Sequence, residues 1–280
     1  MKFGSFDLQI ISDGSFWLDG GAMFGVVPKV LWEKKTAPDE KNRIRLGLNC
    51  LLVRTGNHNV LIDTGCGEKY TEKELRMYRI EHEVTLAGQL RKAGLSPEDI
   101  DVVINTHLHF DHCGGNTCYD GQVVVPSFPR AEYIVRAEEY EDAMCPNERS
   151  SASYFQHNWK VLKEKRMLRI VERDEEVLPG IQLIHTPGHT RGHQSVLIQS
   201  DGRSLLYLAD LCPTTAHVPL PWVMAYDLHP MTTLDVRKQI YRQAVAGKWL
   251  LFFEHDPEQP TGYLQEGDGK YLFAPSAWEP

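Results

Sequence analysis

The sequence predicts a mixed fold of strands and helices in which packed sheets present one shared edge. Two observations carry that reading. Apolar strands recur along the chain, each followed by a loop bearing His or Asp, with helical stretches between them. Four of those strand ends carry metal-capable groups, at His107, His189, Asp210 and His255, and they come from both halves of the chain. A site that draws on both halves needs both, so the chain reads as a single domain over 1–280.

In order, Phe6 to Ser12 is an opening strand that Asp13-Gly14 should end. Residues 14 to 47 show no helix or strand period but carry Phe16, Trp17, Met23, Phe24, Val26, Val27, Val30, Leu31 and Trp32. That segment is an ordinary packed loop, a lid over a substrate, or a packing face for a second copy of the chain in a homodimer. Asn49 to Arg54 and Asn59 to Asp63 form a hairpin across Thr55 to His58, ending in Leu61-Ile62-Asp63-Thr64-Gly65. Asp63 at the end of a buried strand is placed to hold a ligand histidine. Glu68 to Tyr78 is partly helical, Thr85 to Ala93 is a helix stopped by Gly94, and Ser96 to Asp99 is a helical turn. Asp101 to Asn105 is a buried strand.

Strands follow at Gln122 to Val125, Glu132 to Val135 and Leu168 to Val171, and helices at Arg136 to Met144 and Tyr154 to Glu164. The acidic run Glu172 to Glu176 reads as a solvated turn. Ile181 to Ile184 is a strand leading into a Gly- and His-rich loop, His185 to His193. Ser195 to Gln199 and Ser204 to Leu208 pair through Asp201-Gly202. A Pro-rich, aromatic loop covers 212 to 231, Thr233 to Ala246 is a helix closed by Gly247, and Trp249 to Phe253 is a strand reaching His255. Tyr271 to Phe273 is strand-like.

Composition narrows the function. The chain is 42% hydrophobic and 24% charged, with formal net charge -8. An acidic chain of this kind lacks the clustered Lys and Arg that nucleic acid or an anionic membrane surface requires. The start shows no signal-peptide pattern and no run reaches bilayer length. The six cysteines show no CxxC pair or framework spacing, so reduced thiols in the cytoplasm are expected.

The chemistry concentrates at Val102 to Gly115, where a strand runs into His107, His109, Asp111 and His112. In an extended chain, side chains two apart share a face, so His107 and His109 can grip one ion together. Asp111 and His112 lie where the chain must turn and can serve a neighbouring ion. Gly114 and Gly115 let the backbone pass close by. Imidazole and carboxylate without thiolate suit zinc, manganese, iron or cobalt.

His107-Leu108-His109-Phe110-Asp111-His112 resembles the signature of the metallo-β-lactamase superfamily. Asp63 in Leu-Ile-Asp-Thr-Gly, His189 in Thr-Pro-Gly-His, Asp210 at a strand end and His255 after Phe-Phe-Glu follow in the order that family requires. The resemblance spans about 49–257. It implies an α+β fold, an αβ/βα sandwich of two facing mixed sheets with helices outside. It further implies two divalent metal ions, zinc foremost. His107, His109 and His189 would hold one, Asp111, His112 and His255 the other, and Asp210 would bridge them. Cys212 is a poorer bridging candidate than Asp210, which directly follows its apolar strand. Cys113 reads as a packed thiol. His193 matches a supporting position; His185 is supporting or core. His58, His82, His157, His217 and His229 lack partner spacing and read as structural or exposed.

Within that resemblance the reaction expected is attack of a metal-bridging hydroxide on an ester. Asp111 would orient it and pass a proton to the leaving group. Tyr226, in the loop after Asp210, is either a donor to the substrate oxygen or a packed tyrosine. Trp17, Phe24, Trp32, Trp222 and Met224 are candidate apolar walls, which favour a small organic ester. The layout resembles the N-acyl homoserine lactonases, so a lactone leads. A phosphodiesterase would want a basic groove and a glyoxalase-type thioesterase a basic C-terminal region; neither is visible. A mononuclear iron sulfur oxygenase would leave the ligands of the second ion unused.

Overall fold

The computed structural model describes residues 1–278. The chain packs as two compact units, one from 1–14 and 48–173, the other from 15–47 and 174 onward. Each has its own apolar core. In the first, Leu52, Leu61, Leu90, Val103, Tyr133, Trp159 and Leu162 close together; in the second, Leu206, Leu208, Leu211, Ile240, Tyr241, Leu251 and Phe253 do.

One seven-stranded sheet has the order Lys2–Phe3, Phe6–Asp19, Arg43–Arg54, Asn59–Ile62, Val102–Ile104, Glu132–Arg136, Leu168–Val171. Lys2–Phe3 pairs antiparallel with Phe6–Asp19 and Arg43–Arg54 with Asn59–Ile62, and from Asn59–Ile62 onward the pairs are parallel. Parallel neighbours end at the same edge. With Ile62 opposite Ile104, Asp63 and the run 105–112 leave the sheet side by side. Helix Leu86–Lys92 supplies the crossover between these strands, capped by Thr85 accepting from the Gly88 amide.

The other seven-stranded sheet has the order Glu176–Leu178, Ile181–His185, Gln194–Ser200, Arg203–Tyr207, Leu250–Phe252, Thr261–Gly267, Lys270–Pro275. Only Arg203–Tyr207 and Leu250–Phe252 run parallel, joined through the 18-residue helix Pro230–Gly247. Proline at its first position suits a helix start, and Lys248 in the left-handed conformation ends it. Tyr207 lies opposite both Val196 and Phe252. The loops carrying His189, Asp210 and His255 therefore leave one edge of this sheet, as the strand ends led us to expect.

Several element boundaries differ from the sequence reading. The opening strand does not stop at Asp13-Gly14 but runs to Asp19. Gly14 takes φ +102 within it, and Asp13 turns inward to accept from the Gly67 and Leu86 amides instead of making a turn. The 14–47 segment is ordered, with short helices Gly20–Phe24 and Lys29–Trp32, and the next strand begins at Arg43. Glu176 starts a paired strand, and Thr117–Asp120 and Thr261–Gly267 are strands with no strong apolar alternation to announce them.

Candidate metal centre

In the first unit the motif residues are buried at a strand end. Ligand-capable atoms of His107 and His109 lie within 4.8 Å of each other, as do those of Asp111 and His112. Asp63 organises them. Its Oδ1 accepts from the Thr106 amide at 2.8 Å, and its Oδ2 accepts from Thr106 Oγ1 at 2.6 Å and His112 Nδ1 at 3.1 Å. Having given its proton to Asp63, the Thr106 hydroxyl accepts from His107 Nδ1 at 3.1 Å. One carboxylate thus sets the orientation of two imidazoles, as the sequence reading of Asp63 expected.

In the second unit three more of the expected residues, His189, Asp210 and His255, come together. His189 Nε2 lies 3.0 Å from Asp210 Oδ2, and His255 Nε2 lies 3.3 Å from Asp210 Oδ1. Each oxygen of one carboxylate therefore faces a different imidazole. His189 Nδ1 donates to Asp227 Oδ1 at 2.9 Å, and His255 Nδ1 donates to the Gly47 carbonyl at 2.8 Å. The Gly47 amide returns a bond to the His255 carbonyl at 2.9 Å. Ala209, directly before Asp210, is held at φ +47, a conformation that costs an alanine about 1–2 kcal/mol.

The donor set fits divalent metal. His107, His112, His189 and His255 all have Nδ1 engaged, so Nε2 is the atom each would turn to an ion. Their partners are carboxylates, a hydroxyl and a carbonyl, all acceptors. Nitrogen and oxygen donors without thiolate suit zinc, manganese, iron or cobalt alike. Cys212 is a buried packed thiol that accepts from Tyr241 Oη, and burial raises it. Burial likewise holds Cys113 protonated, with its thiol donating to the Leu108 carbonyl.

Supports that sequence reasoning missed are as informative as the ligands. Asp227 is fully buried, whereas its neighbour Tyr226, the expected donor, is 36% exposed. Glu139, on the helix Ala137–Met144, accepts from the Leu108 amide at 2.9 Å and from Tyr154 Oη at 2.9 Å. Tyr154 in turn packs its ring 4.9 Å from that of His109. Lys69 donates to the Gly114 and Thr117 carbonyls, and burial lowers its ammonium to about 8. His193 lies edge-on to His189 at 6.1 Å, and His185 ties the Arg191 carbonyl, so both brace the loop that carries His189. His58, His157 and His229 are exposed, whereas His82 and His217 bond backbone carbonyls.

A match to the Metallo-beta-lactamase superfamily covers residues 44–255. The chain belongs to that superfamily, and the metallo-β-lactamase fold expected from its motifs is the one found. An N-acyl homoserine lactonase from a Bacillus species is 32% identical over 230 residues, 76% of this chain and 82% of its own. A probable metal-dependent hydrolase from Staphylococcus aureus is 33% identical, with TM-score 0.89 over 99% of this chain and 100% of its own. An N-acyl homoserine lactone hydrolase, solved with N-hexanoyl-L-homoserine at its catalytic metal centre, is 28% identical with TM-score 0.69, over 90% of this chain and 94% of its own. The chain is accordingly a metal-dependent hydrolase.

Proposed function

We propose that the protein opens the ester ring of a lactone, an N-acyl homoserine lactone or a close analogue, at a dinuclear centre. The observation that carries the reading is the Asp210 carboxylate, with one oxygen toward His189 and the other toward His255. That is the disposition a bridging ligand needs. Each compact unit carries only part of the set, so we read the two as one functional domain. His107, His109 and His189 would hold one ion, Asp111, His112 and His255 the other, with Asp210 shared. Zinc is the ion we favour, because a set rich in imidazole with carboxylate suits it.

Two divalent ions there would bring the pKa of bound water to about 7 and polarise the ester carbonyl. The chain's own residues do the rest. The Asp111 carboxylate, 3.8 Å from His112 Nε2, takes the proton of the attacking water and delivers it to the ring oxygen as the acyl C–O bond breaks. The Tyr226 phenol offers a donor to the substrate oxygen. Of the expected apolar walls, Trp222 keeps exposed surface and offers a face for the acyl chain, whereas Phe24, Trp32 and Met224 are buried and serve as its backing. None of the six cysteines forms a disulfide, which suits a reducing, cytoplasmic setting. No helix among the described residues is long and apolar enough to cross a membrane.

The test is ring opening by purified, zinc-loaded protein, read as proton release and as the open-chain acid by mass spectrometry. We expect turnover of N-acyl homoserine lactones. Cleavage of a phosphodiester with no turnover of any lactone or ester refutes the reading.

A further inference from the structure

The loop between Asp210 and Asp227 is held from within the second unit by two residues outside the ligand set. Arg237, fully buried on the helix Pro230–Gly247, donates to the Leu211 carbonyl through Nε, and through Nη1 to those of His217 at 3.1 Å and Trp222 at 2.8 Å. His217, also fully buried, reaches the other way. Its Nε2 lies 2.9 Å from the Met23 carbonyl and its Nδ1 2.7 Å from Thr214 Oγ1. A carbonyl only accepts, so Nε2 carries the proton and Nδ1 accepts from the threonine. Burial pushes the ring down to about 3, so it stays neutral at working pH.

The same imidazole is one face of an aromatic stack. Phe24 lies parallel to it at 4.5 Å and 2°, Trp32 follows at 5.1 Å and 13°, and Trp222 meets the Phe24 edge at 5.7 Å. The backbones touch as well. The Ala225 amide donates to the Ala22 carbonyl at 2.9 Å, and a Cβ on Gly25 would lie 2.5 Å from the Val223 carbonyl. The segment 20–32 is thus fastened onto the loop whose far end carries Asp227 and its bond to His189.

We propose that His217 is a positioning residue: by latching segment 20–32 to the loop after Asp210 it fixes the buried Phe24–Trp32 stack that backs the partly exposed Trp222, and so sets affinity for the apolar acyl part of the substrate. The inference rests on the lactonase reading for its substrate but not for the latch. An asparagine reproduces Nδ1 and loses the bond to Met23; a glutamine places an amide N–H near Nε2 and keeps it.

The experiment compares His217→Asn and His217→Gln in the full, zinc-loaded chain by hydrogen exchange and by kinetics on a long-chain N-acyl homoserine lactone and on γ-butyrolactone. In His217→Asn we expect faster exchange confined to 20–32 and 211–229. KM for the long-chain lactone should rise about ten-fold, with kcat within about two-fold, zinc content unchanged and KM for γ-butyrolactone unmoved. His217→Gln should recover most of the loss. Unchanged exchange in His217→Asn overturns the latch. Faster exchange with KM unmoved, or moved equally for both lactones, overturns the role in acyl recognition. A wild type that opens no lactone refutes the activity reading, and exchange then decides the latch alone.

Discussion

At the scale of residues, the site is defined as much by what fixes each imidazole as by the ligands. Asp227 holds His189 through Nδ1 from 38 positions away. Asp227→Asn keeps the size of the side chain and removes its charge, and metal affinity should fall about 10–100-fold, as it does when such supports are lost. Competition with a chromogenic chelator measures this, and unchanged affinity would mean that Asp227 is packing only. His217 gives a pH prediction. Burial lowers its ring from the ordinary 6.5 to about 3, so the stability it contributes is fully present above pH 6.5 and is lost as pH falls toward 3. The advantage of wild type over His217→Asn should therefore shrink between pH 7 and pH 4 by up to about 3 kcal/mol. Urea denaturation at the two pH values reads it, and a constant gap contradicts the assignment. The seven proposed ligands were legible because His and Asp in such patterns have few other reasons to cluster. Asp227 and Glu139 were not, because carboxylates are common along this chain and only the fold brings them to His189 and Leu108.

At the scale of elements, the motif is a strap held at both ends. Gly114 passes so close to the 64–67 turn that a Cβ there would lie 1.8 Å from the Cys66 carbonyl. Gly114→Ala should destabilise the protein by several kcal/mol, on the order of the largest point-mutation effects, and thermal unfolding of the metal-free protein tests it. Retention of the wild-type midpoint would show that the turn yields easily. Glu139 holds the middle of the strap from the neighbouring helix. Glu139→Ala strands the Leu108 amide and the Tyr154 hydroxyl and should cost about 2–4 kcal/mol, whereas Glu139→Gln keeps an acceptor and should cost less. Equal losses in equilibrium denaturation would count against the hydrogen bonds as the cause. The apolar strands that end in ligands were legible from their runs of Val, Ile and Leu. The strand through Asp13-Gly14 was not, because a buried carboxylate bonded to two amides has the same local sequence as a turn. The helices Gly20–Phe24 and Lys29–Trp32 escaped detection because each is too short to show a period and is fixed by contacts such as Phe24 on His217.

At the scale of the whole molecule, the proposed ligand set draws on both compact units, so metal binding and structural stability should be linked. Any ion that binds the folded chain alone stabilises it by RT ln(1 + L/Kd), with L the free ion concentration. Chelation should lower the unfolding midpoint, and added zinc should restore it; a midpoint indifferent to both would mean the set is not a metal centre. Fold and reaction class were legible together, since the order of the motifs along the chain resembles that of the superfamily, and the resemblance implies both. The substrate was less so, because the walls that would contact it lie in 15–47 and 211–229, whose conformation depends on buried bonds from Arg237 and His217. The most direct test is a zinc titration of metal-free protein while lactone ring opening is followed. Activity should climb to a plateau at two equivalents per chain; a plateau at one equivalent, or no ring opening at any loading, would contradict a dinuclear lactonase.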